Sequence, residues 1–148
     1  MVGLGGDDTI NGRGGRDLVC AGSGNDDVRG GSKGDTIYGQ KGVDTIRGGS
    51  GHDKIWGNAG RDTIRGLGGR DTISGGSSSD TLYGGSKADT IDGKGGDTIT
   101  GGAKNDTIYG NAGDDTIEGN RGRDTIYGGG GTDECSGGSG KDLVVCES

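Results

Sequence analysis

Aspartate recurs at Asp8, Asp17, Asp26, Asp35, Asp44, Asp53, Asp62, Asp71, Asp80 and Asp89, always nine residues apart, and after one eight-residue step it continues at Asp97, Asp106, Asp115, Asp124, Asp133 and Asp142. Carboxylates at a fixed interval could serve as paired acids and bases, or they could hold cations. Stacked like charges are unfavourable unless a cation lies between them. A net charge of −7 and a pI near 4.6 point to cationic partners and away from duplex nucleic acid, whose binders present a basic face. No serine–histidine–aspartate constellation, zinc-ligand spacing or phosphate-binding sequence accompanies the aspartates, and the GxGxxG-like matches are by-products of glycine repetition. The sole histidine, His52, reads as a solvated turn residue. No enzyme is indicated.

The elements that position these carboxylates follow from the same period. Two residues after each aspartate stands an aliphatic side chain: Ile10, Val19, Val28, Ile37, Ile46, Ile55, Ile64, Ile73, Leu82, Ile91, Ile99, Ile108, Ile117, Ile126 and Val144, with Cys135 the exception. One apolar residue flanked by Thr and a polar or aromatic residue reads as a three-residue strand with its centre inward. A conventional core is excluded by 41 glycines, no proline, no phenylalanine and 24% hydrophobic residues. Stacking such strands at about 4.8 Å pairs every backbone group with the coils above and below. The chain is therefore expected to be one all-β domain over residues 1–148, a parallel solenoid of sixteen nonapeptides. With two repeats per coil the stack would hold eight coils over roughly 38 Å.

The fullest turns are GGSGHD (Gly48, Gly49 and Gly51 leading to Asp53), GGGGTD (Gly128, Gly129 and Gly131 leading to Asp133) and GGSGKD (Gly137, Gly138 and Gly140 leading to Asp142). AGSGND, with Gly22 and Gly24 before Asp26, is one substitution away. These turns resemble the RTX nonapeptide repeat, G-G-x-G-x-D-x-U-x with U a large aliphatic residue. The resemblance covers essentially the whole chain and implies a calcium-binding parallel β-roll. Glycine reaches the positive-φ conformations that curl carbonyl oxygens inward, and Ca²⁺ takes six to eight carboxylate and carbonyl oxygens. By the same resemblance each ion lies between turns of adjacent coils, shared by repeats n and n+2, and all sixteen repeat aspartates are candidate ligands. Two columns of eight turns would offer at most about fourteen sites.

Fewer are expected to fill. Lys33, Ser78, Lys87 and Lys104 stand where glycine should precede the aspartate by two, which demands strained geometry or a reshaped turn. Arg16, Arg61, Arg70 and Arg123 directly precede an aspartate and could neutralise carboxylates without metal. The strongest sites are then expected around Gly22–Asp26, Gly48–Asp53 and Gly128–Asp142. The shortened repeat DGKGGDTI (Asp92 to Ile99) lacks one turn residue, so a local defect in one ion column is expected there.

Thr follows the repeat aspartate in eleven repeats, which β-propensity explains. An ice-binding array, or an adhesion solenoid with calcium as scaffold, is the alternative reading. Early odd repeats place Arg29, Arg47 and Arg65 outward, and even repeats place Tyr38, Trp56, Tyr109 and Tyr127 outward. That aromatic stripe suits ladder packing or a glycan or protein contact. The tail holding Cys135 and Cys146 is similar to the C-terminal cap, about residues 133–148, of secreted actinobacterial relatives, a resemblance that implies a Cys135–Cys146 disulfide. Cys20 is left over, as a thiol with a missing upstream mate, a free thiol or an intermolecular partner. The start MVGLGGDDTI has no signal-peptide pattern, so an extracellular location implies a signal outside this chain. No run of 18 apolar residues exists, so no membrane-spanning segment is expected. An uncapped terminal coil invites end-to-end association.

Overall fold

The computed structural model describes residues 1–146. Glu147 and Ser148, the end of the expected cap, lie outside the described residues. Sixteen strands, the first Thr9–Asn11 and the last Leu143–Val145, alternate between two eight-stranded sheets, odd-numbered strands in one and even-numbered strands in the other. Pairings are parallel and join strands two apart in the chain, as in Ile37↔Ile55↔Ile73 and Ile46↔Ile64↔Leu82. Two repeats therefore close one coil, and about eight coils form a parallel β-solenoid.

Most strands run six residues rather than the expected three, as in Thr36–Lys41 and Thr45–Ser50. The extra length is glycine turn backbone. Stacked coils pair those groups too, since an unpaired backbone donor or acceptor is costly once buried. Beyond the strands, the Thr63 N–H donates to the Asp44 carbonyl at 2.8 Å and the Ser32 N–H to the Arg13 carbonyl at 2.8 Å. The ladder thus runs almost around the coil.

Within each strand the aliphatic residue faces inward and is fully buried from Val19 through Ile126, making one narrow column of apolar contact between the sheets. The next inward position is the first glycine of the following turn, as the buried Ile46 and Gly48 of Thr45–Ser50 show. Its missing side chain leaves the space that the aspartate fills. At the last coils Cys135 and Cys146 form a disulfide, Cα atoms 6.3 Å apart, packed against the end of the core. Cys20 is a free, half-buried thiol in register with Tyr38.

Outward residues form ladders of their own. Tyr38 stacks on Trp56 with centroids 4.8 Å apart, Tyr109 stacks on Tyr127 at 5.3 Å, and the Arg65 guanidinium lies 5.0 Å from the Tyr83 ring centre. The ring faces are turned to one another along the stack, the arrangement of cross-strand packing. Each sheet carries a single Thr column, Thr45↔Thr63↔Thr81↔Thr98 in one and Thr72↔Thr90↔Thr107↔Thr125 in the other. An ice-matching face would favour two.

Candidate metal centres

The turns stack in two columns. Asp8, Asp26, Asp44, Asp62, Asp80, Asp97, Asp115 and Asp133 end the turns of the odd column, and Asp17, Asp35, Asp53, Asp71, Asp89, Asp106, Asp124 and Asp142 those of the even column. In both, the backbone N–H of one aspartate donates to Oδ1 of the aspartate one coil further on. Asp44 donates to Asp62 at 2.9 Å, Asp62 to Asp80 at 2.8 Å and Asp71 to Asp89 at 2.8 Å. The carboxylates are neighbours along each column and point into the protein: those from Asp26 through Asp124 are at most 2% exposed.

Only one oxygen of each carboxylate is used this way. Oδ2 is buried without a hydrogen-bond partner at Asp26, Asp35, Asp44, Asp53, Asp62, Asp71, Asp80, Asp89, Asp106, Asp115 and Asp124, and at Asp17 and Asp133 near the ends. It lies against the first glycine of its own turn. A Cβ added at Gly57 would fall on Asp62 Oδ2 and 2.6 Å from the Gly75 carbonyl oxygen. The exception among the fully buried set is Asp97, whose Oδ2 accepts the Gly95 N–H at 3.0 Å. Asp97 ends the shortened repeat, and its carboxylate is turned to the backbone of its own turn.

A second set of oxygens is also free. Among the described residues no hydrogen bond ends on the carbonyl of the residue two before a ladder aspartate. At Gly42, Gly51 and Gly113 that oxygen instead abuts the matching residue of the next coil, Gly60, Gly69 and Gly131. These glycines take φ of 127°, 136° and 137°, open to glycine alone. Where another residue stands there the turn is tightened toward left-handed helical values: φ is 75° at Lys33, 91° at Ser78 and 84° at Lys104. Lys87 has no positive φ, so its turn is rebuilt instead. Both outcomes expected for these residues occur.

Neutralisation by arginine does not. The two ion pairs among the described residues join Arg29 and Arg47 to Asp27, at 2.8 and 3.1 Å, on the outer face of the odd sheet. Arg16, Arg61, Arg70 and Arg123 are exposed and pair with no ladder aspartate, because those carboxylates lie inward under the turn while the arginines project from its tip.

Burial is the main influence on the ladder carboxyls and drives their pKa values upward. Asp71, Asp80 and Asp106 are pushed up to about 7, and Asp62, Asp89 and Asp115 to about 6, from 3.8. The N–H donated from the previous coil opposes the shift, and neighbouring aspartates of the same column add to it at most of these positions. Each carboxylate is therefore a buried anion in want of a cation or a proton. Among the described residues no three His, Cys, Asp or Glu side chains converge, so an ion held here must draw on turn carbonyls as well. Orphaned carboxylate oxygens and unpartnered turn carbonyls are all-oxygen donors, the kind that a hard divalent cation such as Ca²⁺ takes.

A family model described as the RTX calcium-binding nonapeptide repeat matches residues 1–28, 21–55, 29–64, 56–91, 91–125 and 110–144. The chain belongs to this family. No curated protein matches it.

Within this RTX chain two features escaped the sequence reading. The first is a partial outer ladder at the residue before the aspartate: the Asn25 N–H donates to Asp7 Oδ1 at 2.7 Å, Val43 to Asn25 Oδ1 at 2.8 Å and Thr132 to Asp114 Oδ1 at 2.8 Å. In the even column the Arg70 N–H donates to His52 Nδ1 at 2.8 Å and Arg123 to Asn105 Oδ1 at 3.0 Å. His52 is thus an exposed turn residue with a structural bond. Its signal was a short polar acceptor at that place, legible only once the partner coil was known.

The second feature is where the charge lies. Even-column turns carry nine cations, Arg13, Arg16, Lys33, Arg70, Lys87, Lys104, Arg121, Arg123 and Lys141, and no acid besides the ladder itself. Odd-column turns carry Lys41, Arg61 and Lys94 against Asp7 and Asp114. Alternation between columns hides this segregation in the linear chain.

Proposed function

We propose that this chain is a non-catalytic, extracellular calcium-binding β-roll whose folding is coupled to calcium. The observation that carries the reading is the run of fully buried carboxylate oxygens with no partner, repeated from coil to coil. An isolated buried anion is too costly to persist. Ca²⁺ held by the ladder Oδ2 atoms and turn carbonyls supplies the missing charge, and its binding free energy becomes folding free energy. All sixteen repeat aspartates are candidate ligands. Asp97 is the weakest of the buried set because its Oδ2 is already bonded, and fewer than about fourteen ions are held in total. The disulfide between Cys135 and Cys146 supports an oxidising, extracellular setting, where calcium is also plentiful.

Calorimetric titration of chelator-treated protein with Ca²⁺, followed in parallel by circular dichroism, tests the reading. Several saturable sites and a β-signal that rises with occupancy are expected. Heat indistinguishable from dilution, with an unchanged spectrum and melting temperature in excess chelator, would end it.

A further inference from the structure

We propose that the even-column edge is a docking edge for a linear acidic polysaccharide, whose carboxylate or sulfate groups pair with the row of arginines and lysines projecting from successive turns. Nine of the chain's sixteen basic residues stand on this one edge of a protein whose net charge is −7. All nine are exposed, and none forms an ion pair or side-chain hydrogen bond among the described residues. Nothing in the fold requires them: the inner ladder uses only Asp Oδ1, backbone and aliphatic groups, and the odd column builds the same ladder without such a row. Like charges set one coil apart repel, a cost that an anionic partner removes.

The geometry selects the partner. Every even-column turn contributes at least one cation except the third, which offers His52, so charges recur from coil to coil along one edge, at neighbouring turn positions, with about the 4.8 Å spacing of stacked strands. Two grooves, of about 710 and 370 Å³, open along this edge. Arg16, Lys33 and Lys54 line one, and Arg70, Lys87 and Lys104 line the other; His52 borders both. A line of charge suits an extended chain rather than the plane of a membrane. Duplex DNA presents phosphates about every 3.4 Å of helix axis on each strand, and its strands wind away from a straight edge. Single-stranded nucleic acid is held by stacking on aromatic rings, and this edge has none, since Tyr38, Trp56, Tyr109 and Tyr127 lie on the sheet face. A straight polysaccharide with acidic groups on its sugar units remains. Exposed charge pairs are individually weak, so affinity comes from many coils engaging one chain, independently of which turns hold metal.

The test compares two triple variants of equal net charge, Arg16→Glu/Arg70→Glu/Arg123→Glu on the even edge and Lys41→Glu/Arg61→Glu/Lys94→Glu on the odd edge. Binding of galacturonate octamers and heparin octamers is measured in calcium at low salt, with duplex DNA and phosphatidylserine vesicles as competitors. The wild type is expected to bind at least one octamer saturably; heparin alone would assign sulfate recognition and galacturonate alone carboxylate recognition. The even-edge variant should bind about tenfold or more weakly and the odd-edge variant less than about threefold. Should the glutamates weaken the β-signal, the Arg16→Gln/Arg70→Gln/Arg123→Gln variant is held to the same comparison. Equal losses from both edges, no saturable binding of either octamer, or displacement by DNA or vesicles at equal charge concentration would overturn the proposal.

Discussion

In the odd column glycine stands two residues before the aspartate at Gly6, Gly24, Gly42, Gly60, Gly95, Gly113 and Gly131, with Ser78 the departure. In the even column Gly15, Gly51, Gly69, Gly122 and Gly140 keep that place but Lys33, Lys87 and Lys104 take it in the other three turns, and cations crowd the neighbouring positions. Yet both columns carry the same inner ladder: Asp44 to Asp62 in one is matched by Asp53 to Asp71 in the other, each at 2.9 Å. The difference teaches that coil geometry is set by groups facing inward, while turn tips are free to diverge. Open glycine turns with little opposing charge suit the odd column to divalent ions. A row of cations, with turns altered at Lys33, Lys87 and Lys104, suits the even column less, because an ion there would be held close to positive charge.

The largest expected break between the columns comes from removing carboxylates in pairs. Asp80→Asn/Asp115→Asn in the odd column should lose two or more ions by calorimetry and cost about 3–5 kcal/mol in calcium, the scale for removing one partner of a buried ion contact. Asp71→Asn/Asp106→Asn in the even column should lose less of both. In chelator the sign inverts, and both variants should melt above the wild type, since asparagine keeps the Oδ1 acceptor and removes a buried uncompensated anion. Equal ion losses would remove the distinction between columns.

Acidity is a second lever, and it should act on both columns alike. Asp71 and Asp106 of the even column and Asp80 of the odd column sit at about 7 in the fold, against 3.8 for an ordinary aspartate. The folded state therefore binds more protons than the unfolded chain between these values. Its calcium-free stability is full below about 3.8 and is lost as pH rises through about 7. Chelated protein should melt higher at pH 5 than at pH 8, and calcium affinity should fall on acidification as protons compete for the same oxygens. A calcium-free melting temperature that is flat or rising between those pH values would contradict the burial of these groups.

Smaller effects sharpen the comparison from inside and outside the coil. Gly57→Ala in the odd column and Gly66→Ala in the even column each drive a methyl onto a ladder carboxylate, near the Gly75 oxygen at 2.6 Å and the Gly84 oxygen at 2.7 Å. Both should cost about 1–3 kcal/mol by thermal unfolding in calcium, as overpacking does. Gly68→Ala, whose nearest contact is 3.6 Å away, should stay within about 0.5 kcal/mol. Smallest is Lys33→Gly, which relieves a side chain at φ 75° and should gain less than about 1 kcal/mol, because glycine also loses more freedom on folding. Its sharper readout is calcium stoichiometry, expected to rise by one where the even column is limited by its lysines.

The apolar column from Val19 to Ile126 and the ladder of aspartates stood in the sequence because one period places both, with one residue type at each phase. The irregularity of the shortened repeat was legible for the same reason, as a missing turn residue before Asp97. Strand length was not. Nothing in Gly48, Gly49 and Ser50 marks strand, and these residues extend Thr45–Ser50 only because stacked coils pair their backbone. The ion pairs expected of Arg16 and Arg70 failed for a related reason: adjacency in the chain says nothing of direction, and the aspartate turns inward where the arginine turns out.

The sequence by itself determined the repeat length, the inward aliphatic residue, the turn chemistry and the metal class that such oxygens suit. Local stereochemistry and side-chain type are enough for these. Only the tertiary structure decided that most ladder aspartates spend one oxygen on a neighbouring coil and leave the other buried without a partner, and that the cations gather on one edge. Both are relations between residues about eighteen apart, such as Asp62 and Asp80. They come into being when parallel pairing brings successive coils into register, the physical step that turns a period along the chain into a column in space.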